Sequence, residues 1–132
     1  MRAFFLWLGL SLLCWIGAER WLDSHFRSNP RLIVVALDTS VSMAPVWGAI
    51  PALAREFDEA PYAKYVLHGP RGLLHGPSDR IDLGRLTPYG PRSFDHLAGI
   101  GDDGYRRILI TNAAPDALPE LSGWEVVSPA GG

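Results

Sequence analysis

Three oxygen-bearing side chains follow the first apolar run of the soluble part of the chain. The sequence RLIVVALDTSVSM, beginning at Arg31, carries Asp38, Ser40 and Ser42 at positions i, i+2 and i+4. A continuous apolar run predicts a buried parallel strand, and functional groups of such sheets collect beyond the carboxyl ends of their strands. A carboxylate and two hydroxyls on one turn suit a hard divalent cation such as Mg²⁺ or Mn²⁺. The spacing therefore indicates a metal site.

This D-x-S-x-S pattern resembles the metal-ion-dependent adhesion site of von Willebrand factor A domains, and the likeness covers residues 31–129. The resemblance implies a small three-layer, Rossmann-like α/β fold, with a mostly parallel sheet and an antiparallel edge hairpin. It also implies binding of another protein, whose acidic side chain completes the coordination of the ion, and no catalysis.

The resemblance further implies a threonine from a second loop and an aspartate from a third, and this chain departs from both. The second loop corresponds to TPYGPRSF, in which Thr87 or Ser93 is the available substitute. Arg92 is the other residue placed to fill the position, where its charge would oppose a metal. The third loop reads Thr111-Asn112, so one negative charge is lost. The expected metal ligands are Asp38, Ser40, Ser42, Thr111, Asn112 and Ser93.

Three alternatives remain open. Asp38 or Ser42 could simply cap the helix that follows. The fold could be used without a metal, as a structural subunit of a membrane complex. Asp38 and Thr111-Asn112 also resemble a pair found in haloacid-dehalogenase-like phosphatases. That resemblance fails at Ser40, where those enzymes need a second aspartate, and too little chain follows Asn112 for their remaining charged groups.

The elements that would position these residues follow from periodicity. A helix is expected after the turn, kinked at Pro51 or beginning just before it. A hairpin is predicted over residues 62–75, in which His68 and His75 could face each other as a surface pair. A short helix is expected over residues 93–100, capped by Ser93. A second buried strand is predicted at residues 106–111, and a short last strand at residues 125–127.

The amino-terminal segment differs from the rest of the chain. Residues 3–18 contain no charged side chain, and Trp21 and Leu22 can extend this apolar stretch past Glu19 and Arg20. A poor signal-peptidase site favours an uncleaved anchor over a secretory signal. We therefore expect a single-pass membrane helix within residues 1–28, contacting lipid through residues 3–22, and a domain over residues 29–132 on the exported side.

Charge and cysteine content exclude other classes of function. The 132-residue chain has a formal net charge of −2, and its basic residues are scattered, so nothing indicates a nucleic-acid surface. The single cysteine, Cys14, lies in the apolar segment and excludes both a disulfide within the chain and a cysteine-based metal site. No pattern indicates a small-molecule substrate.

Overall fold

The structure is a computed structural model that describes residues 1–101, 104 and 106–129. The chain divides into two compact units, Met1–Pro30 and Arg31–Gly132. The first unit is the single helix α1, Arg2–Ser28. It ends before Pro30, with the backbone N–H of Asn29 donating to the carbonyl of His25 at 2.9 Å. At 27 residues, α1 is long and apolar enough to cross a membrane, a property that it would share with a signal sequence.

The second unit contains a five-stranded sheet, in the order β3-β2-β1-β4-β5. Strand β1 lies at the centre and pairs in parallel with β2 and β4, and β4 pairs in parallel with β5. Only the β2–β3 pair is antiparallel among the described strands. The strands are β1 Arg31–Leu37, β2 Ala63–Gly69, β3 Gly72–Ser78, β4 Arg106–Ile110 and β5 Glu125–Val127. The expected α/β class, with a mostly parallel sheet and an antiparallel edge, is confirmed.

One face of the sheet is covered by a 3-10 segment, Val41–Ala49, and by helix α2, Ile50–Phe57. Val35, Leu37 and neighbouring apolar side chains pack there against Met43 and Ile50, and all four are fully buried. The α-helix begins directly before Pro51, as one of the two sequence alternatives predicted. At that position the missing N–H of proline costs no internal hydrogen bond.

The opposite face is covered by shorter segments. The buried side chains of this face are those of Ala36, Leu97 and Leu109. Partly buried apolar side chains pack against them, namely Phe94, Ile100, Leu118, Leu121 and Trp124. The short helix predicted over residues 93–100 is present as a 3-10 helix, Asp95–Gly99, but its N-cap residue is Phe94 and not Ser93. A second 3-10 helix spans Pro115–Ala117. This face therefore has loops and single turns in place of long helices.

The hairpin is confirmed, but the expected histidine pair is wrong. In the β2–β3 register, His68 lies opposite Leu73 and His75 lies opposite Leu67, so the two histidines are not cross-strand partners. The ring of His75 is held by two backbone groups: Nε2 accepts from the N–H of Asp82 at 3.1 Å, and Nδ1 lies 2.8 Å from the carbonyl oxygen of Gly76. The tight turn sets this register, because Gly69 opposite Gly72 places His68 opposite Leu73.

We expect that removing one buried hydroxyl will loosen the end of α2. The hydroxyl of Tyr65 donates to the carbonyl of Phe57, and Tyr65 is 1% exposed. Tyr65→Phe should lower the free energy of unfolding by about 1 kcal/mol, the typical net value of one hydrogen bond. Urea unfolding of the full chain in detergent micelles measures it, with exposed Tyr89→Phe as the matched control. Equal stability of both variants and the wild type would contradict the assignment.

Candidate functional site: the carboxyl edge of the sheet

Adjacent parallel strands bring two distant segments together. In the register of β1 and β4, Leu37 lies opposite Ile110, so the residues that follow, Asp38 and Thr111, emerge side by side. The N–H of Asp38 donates to the carbonyl of Ile110 at 3.0 Å. Thr111 is fixed from the other side, since its N–H donates to the carbonyl of Val127 at 3.1 Å. Both side chains are buried at the carboxyl edge of the sheet.

The Asp38 carboxylate is hydrogen-bonded through both of its oxygens. Oδ1 accepts from the backbone N–H of Ser40 at 3.0 Å, and Oδ2 accepts from the Thr111 hydroxyl at 2.7 Å. Oδ2 also accepts a hydrogen bond from Nε of Arg92 at 2.8 Å. The Asp38 side chain is only 2% exposed. Burial alone would raise the pKa of Asp38, but bonds from Thr111 and Ser40 and the charge of Arg92 outweigh it, so the pKa lies below its usual 3.8.

Asn112 holds the other end of the same guanidinium. Nη2 of Arg92 donates to Oδ1 of Asn112, while Nδ2 of Asn112 donates to the backbone carbonyl of Ser42 at 2.8 Å. The Asn112 backbone N–H points to the sulfur of Met43 at 3.2 Å. The amide side chain of Asn112 can accept from Arg92 and donate to Ser42 at once. An aspartate, which the resemblance implies at this position, could not make the second bond.

The expected ligand residues are only partly assembled. Asp38, Ser40 and Thr111 lie together, and Asn112 reaches them through Arg92. Ser42 is exposed and takes part through its carbonyl oxygen. The Ser93 hydroxyl points elsewhere, donating to Oδ2 of Asp95 at 3.2 Å. The second loop therefore contributes Arg92 to the cluster, in the position where the resemblance implies a threonine.

These residues do not fit a divalent cation. Mg²⁺ requires about six oxygen ligands in near-octahedral geometry. The carboxylate of Asp38 already accepts three hydrogen bonds, one of them from a guanidinium. The Ser40 hydroxyl is fully buried beside the carboxylate and has no hydrogen-bond partner among the described residues. An ion bound to Asp38 would lie against the Arg92 guanidinium, whose positive charge opposes it, and no second carboxylate of the described residues joins the cluster to offset that charge.

Two exposed apolar residues, which carry no motif in the sequence, border this cluster. Val41 and Tyr89 are 60% and 61% exposed. Backbone bonds fasten both to the same place: the N–H of Tyr89 donates to Thr39 at 2.6 Å, and the N–H of Val41 donates to Gly90 at 3.0 Å. The guanidinium of Arg71 lies 4.3 Å from the centre of the Tyr89 ring. In the sequence, the tyrosine of the TPYGP loop is the feature that could have indicated an interaction surface, because aromatic residues are enriched at interfaces.

Removing the guanidinium should destabilise the whole domain. Arg92→Leu leaves the Asp38 charge buried without its ion-pair partner, and breaking a buried pair in this way costs about 3 kcal/mol. Urea unfolding of the full chain in micelles at neutral pH measures the loss. Arg85→Leu, at an exposed arginine, is the matched control and should cost less than about 0.5 kcal/mol. Equal effects at both positions would show that the Arg92 pair contributes nothing.

The Thr111 hydroxyl should make a pH-dependent contribution. Thr111→Val removes a bond to the ionised carboxylate, so we expect a loss of about 1.5–3 kcal/mol at pH 7. The folded pKa of Asp38 is depressed, so its stabilisation is complete above the unfolded pKa and is lost as pH falls through the folded value. The gap between wild type and Thr111→Val should therefore narrow below about pH 4. A gap that is constant down to pH 2 would contradict this account.

Comparison of the chain with protein-family models, with curated proteins and with solved structures found no match.

Proposed function

We propose that the chain is a membrane-anchored, von Willebrand A-like interaction subunit that works without a metal ion. The observation that carries this proposal is the position of Arg92, whose guanidinium joins Asp38 to Asn112. A fixed cation on the chain then does what an ion does in the family that the chain resembles. It neutralises the buried carboxylate and holds the loops of the site together.

The arrangement of the strands supports the von Willebrand A likeness. The D-x-S-x-S turn follows the central strand β1, and the hairpin places the antiparallel strand β3 at one edge. The second and third loops meet the turn at the carboxyl edge, as the resemblance implies. The described covering on one face consists of single turns, as a version of such a fold with fewer flanking helices would have.

Helix α1 supports a membrane anchor, because it is long and apolar enough to span a bilayer. Only Asn29 and Pro30 separate it in sequence from β1. An anchor confines the domain to one surface and raises its effective concentration for a partner in the same membrane. We place the domain on the exported side, with the short amino-terminal end inside.

The chemistry of the site favours binding over catalysis. A phosphatase-like role would need Asp38 to present a free carboxylate oxygen to substrate, and both oxygens are occupied. Lys64, the only lysine, is paired with Asp79 at 2.5 Å. The exposed Val41 and Tyr89 instead offer the apolar surface that a protein partner would cover.

Photocrosslinking with and without chelator tests this proposal. A benzoylphenylalanine placed at Val41 or Tyr89 of the full chain, in membranes of cells that produce it, should give crosslinked adducts of defined mass. The same adducts should form in EDTA and in excess Mg²⁺, because Arg92 is attached to the chain. Leu73, an exposed apolar residue on β3, is the matched control position and should give none of these adducts.

Two results would overturn the proposal. Adducts that disappear in EDTA and return with Mg²⁺ would show that a metal completes the site. Adducts that are absent at both positions, or equally strong at Leu73, would show that this edge of the sheet is not the interaction surface.

A further inference from the structure

A groove runs beside the Arg92 cluster. Its volume is about 780 Å³, within the range of about 300–1,000 Å³ that is typical of binding pockets. One wall is formed by residues 92–95 and Ala98, and the other by residues 117–121. Both walls belong to the thinly covered face of the sheet. Phe94, Leu118 and Leu121 extend from the apolar cluster of that face into the lining, so an apolar side chain would find contacts there.

The charges of the groove are unequal. Asp95 and Glu120 lie one on each wall, both exposed, and no basic side chain among the described residues forms an ion pair with either. Among the described residues of the lining Arg92 is the one that is basic, and its charge is balanced by Asp38. The groove and its paired base therefore carry two net negative charges. Two carboxylates across an apolar floor favour a ligand that is both cationic and apolar.

We propose that this groove binds a segment of a partner protein in which a lysine or arginine adjoins an apolar side chain. The cation lies between Asp95 and Glu120, and the apolar side chain packs on Phe94, Leu118 and Leu121. This reverses the chemistry that the sequence resemblance implies, in which a partner supplies an acidic residue to a metal. With Arg92 already paired to Asp38, an incoming carboxylate would find no unbalanced positive charge and two like charges nearby.

The inference rests on the proposed function only in that the chain binds another protein. It names the partner's chemistry from the groove, whereas the crosslinking experiment tests the exposed edge and its independence from metal. Metal-dependent crosslinks together with a basic preference in the groove would overturn the first proposal and leave the second. Metal-independent crosslinks without a basic preference in the groove would support the first proposal and overturn the second.

Two matched peptides test the charge of the partner. The probes are acetylated, amidated leucyl-lysyl-leucine and leucyl-glutamyl-leucine, titrated into the full chain, labelled with ¹⁵N, in detergent micelles. We expect the lysine peptide to shift the amide resonances of residues 93–98, 117–118 and 120–121, and the glutamate peptide to leave them unchanged. Added salt should weaken the binding, because exposed charges are screened.

A pair of double variants separates the groove from general attraction to an acidic protein. Asp95→Asn with Glu120→Gln should weaken binding of the lysine peptide at least threefold. Glu56→Gln with Glu59→Gln removes two exposed charges from the region of α2, on the other side of the sheet, and should leave the affinity unchanged. Asp95 and Glu120 form no ion pair with described residues, so their variant should fold normally, which its amide spectrum will show.

Several outcomes would overturn the inference. They are binding of the glutamate peptide in the groove with equal or higher affinity, binding of neither peptide, and equal weakening by both double variants. Shifts confined to residues outside the groove would overturn it as well, since the peptide would then occupy another surface.

Discussion

The domain depends on neutralising one buried carboxylate. Asp38 follows the central strand of the sheet and is 3% exposed, so its charge is removed from water by the same packing that buries the strand. An unpaired carboxylate in such a position would be costly enough to shift its pKa upward or to unfold the edge of the sheet. The Thr111 hydroxyl, the Ser40 N–H and the Arg92 guanidinium together keep it ionised. Each donor comes from a different loop, so satisfying the charge fixes the loops relative to one another.

Much of the fold follows from the sequence because the burial pattern of parallel strands is strong. The apolar runs of β1 and β4 are nearly continuous, and the strand ends lie where polar residues begin. The short helix predicted over residues 93–100 is a 3-10 helix, which packs Leu97 and Phe94 onto a small face. The spacing of apolar residues over so few positions does not distinguish a 3-10 helix from an α-helix.

The candidate site was less predictable, for an electrostatic reason. The sequence places Asp38, Ser40, Thr111 and Asn112 near one edge, but it does not say what neutralises them. A metal and an arginine compete for the same position, and the outcome depends on whether the second loop can bring its guanidinium within 2.8 Å of the carboxylate. Backbone bonds of that loop to Thr39 and Val41 decide this. Such backbone bonds are difficult to predict from the sequence, because nearly every residue type has the same backbone N–H and C=O groups.

The wide sequence separation of the site residues has a consequence for how a partner would encounter the chain. Arg92 and Asp38 are 54 residues apart, and Thr111 and Asp38 are 73 apart. Closing loops of this length is entropically costly, so contacts between such distant segments form slowly. A nascent or partly folded chain, even if already inserted in a membrane, would lack the assembled edge. A partner that recognises this edge would select finished domains, and its binding would in turn stabilise them by mass action.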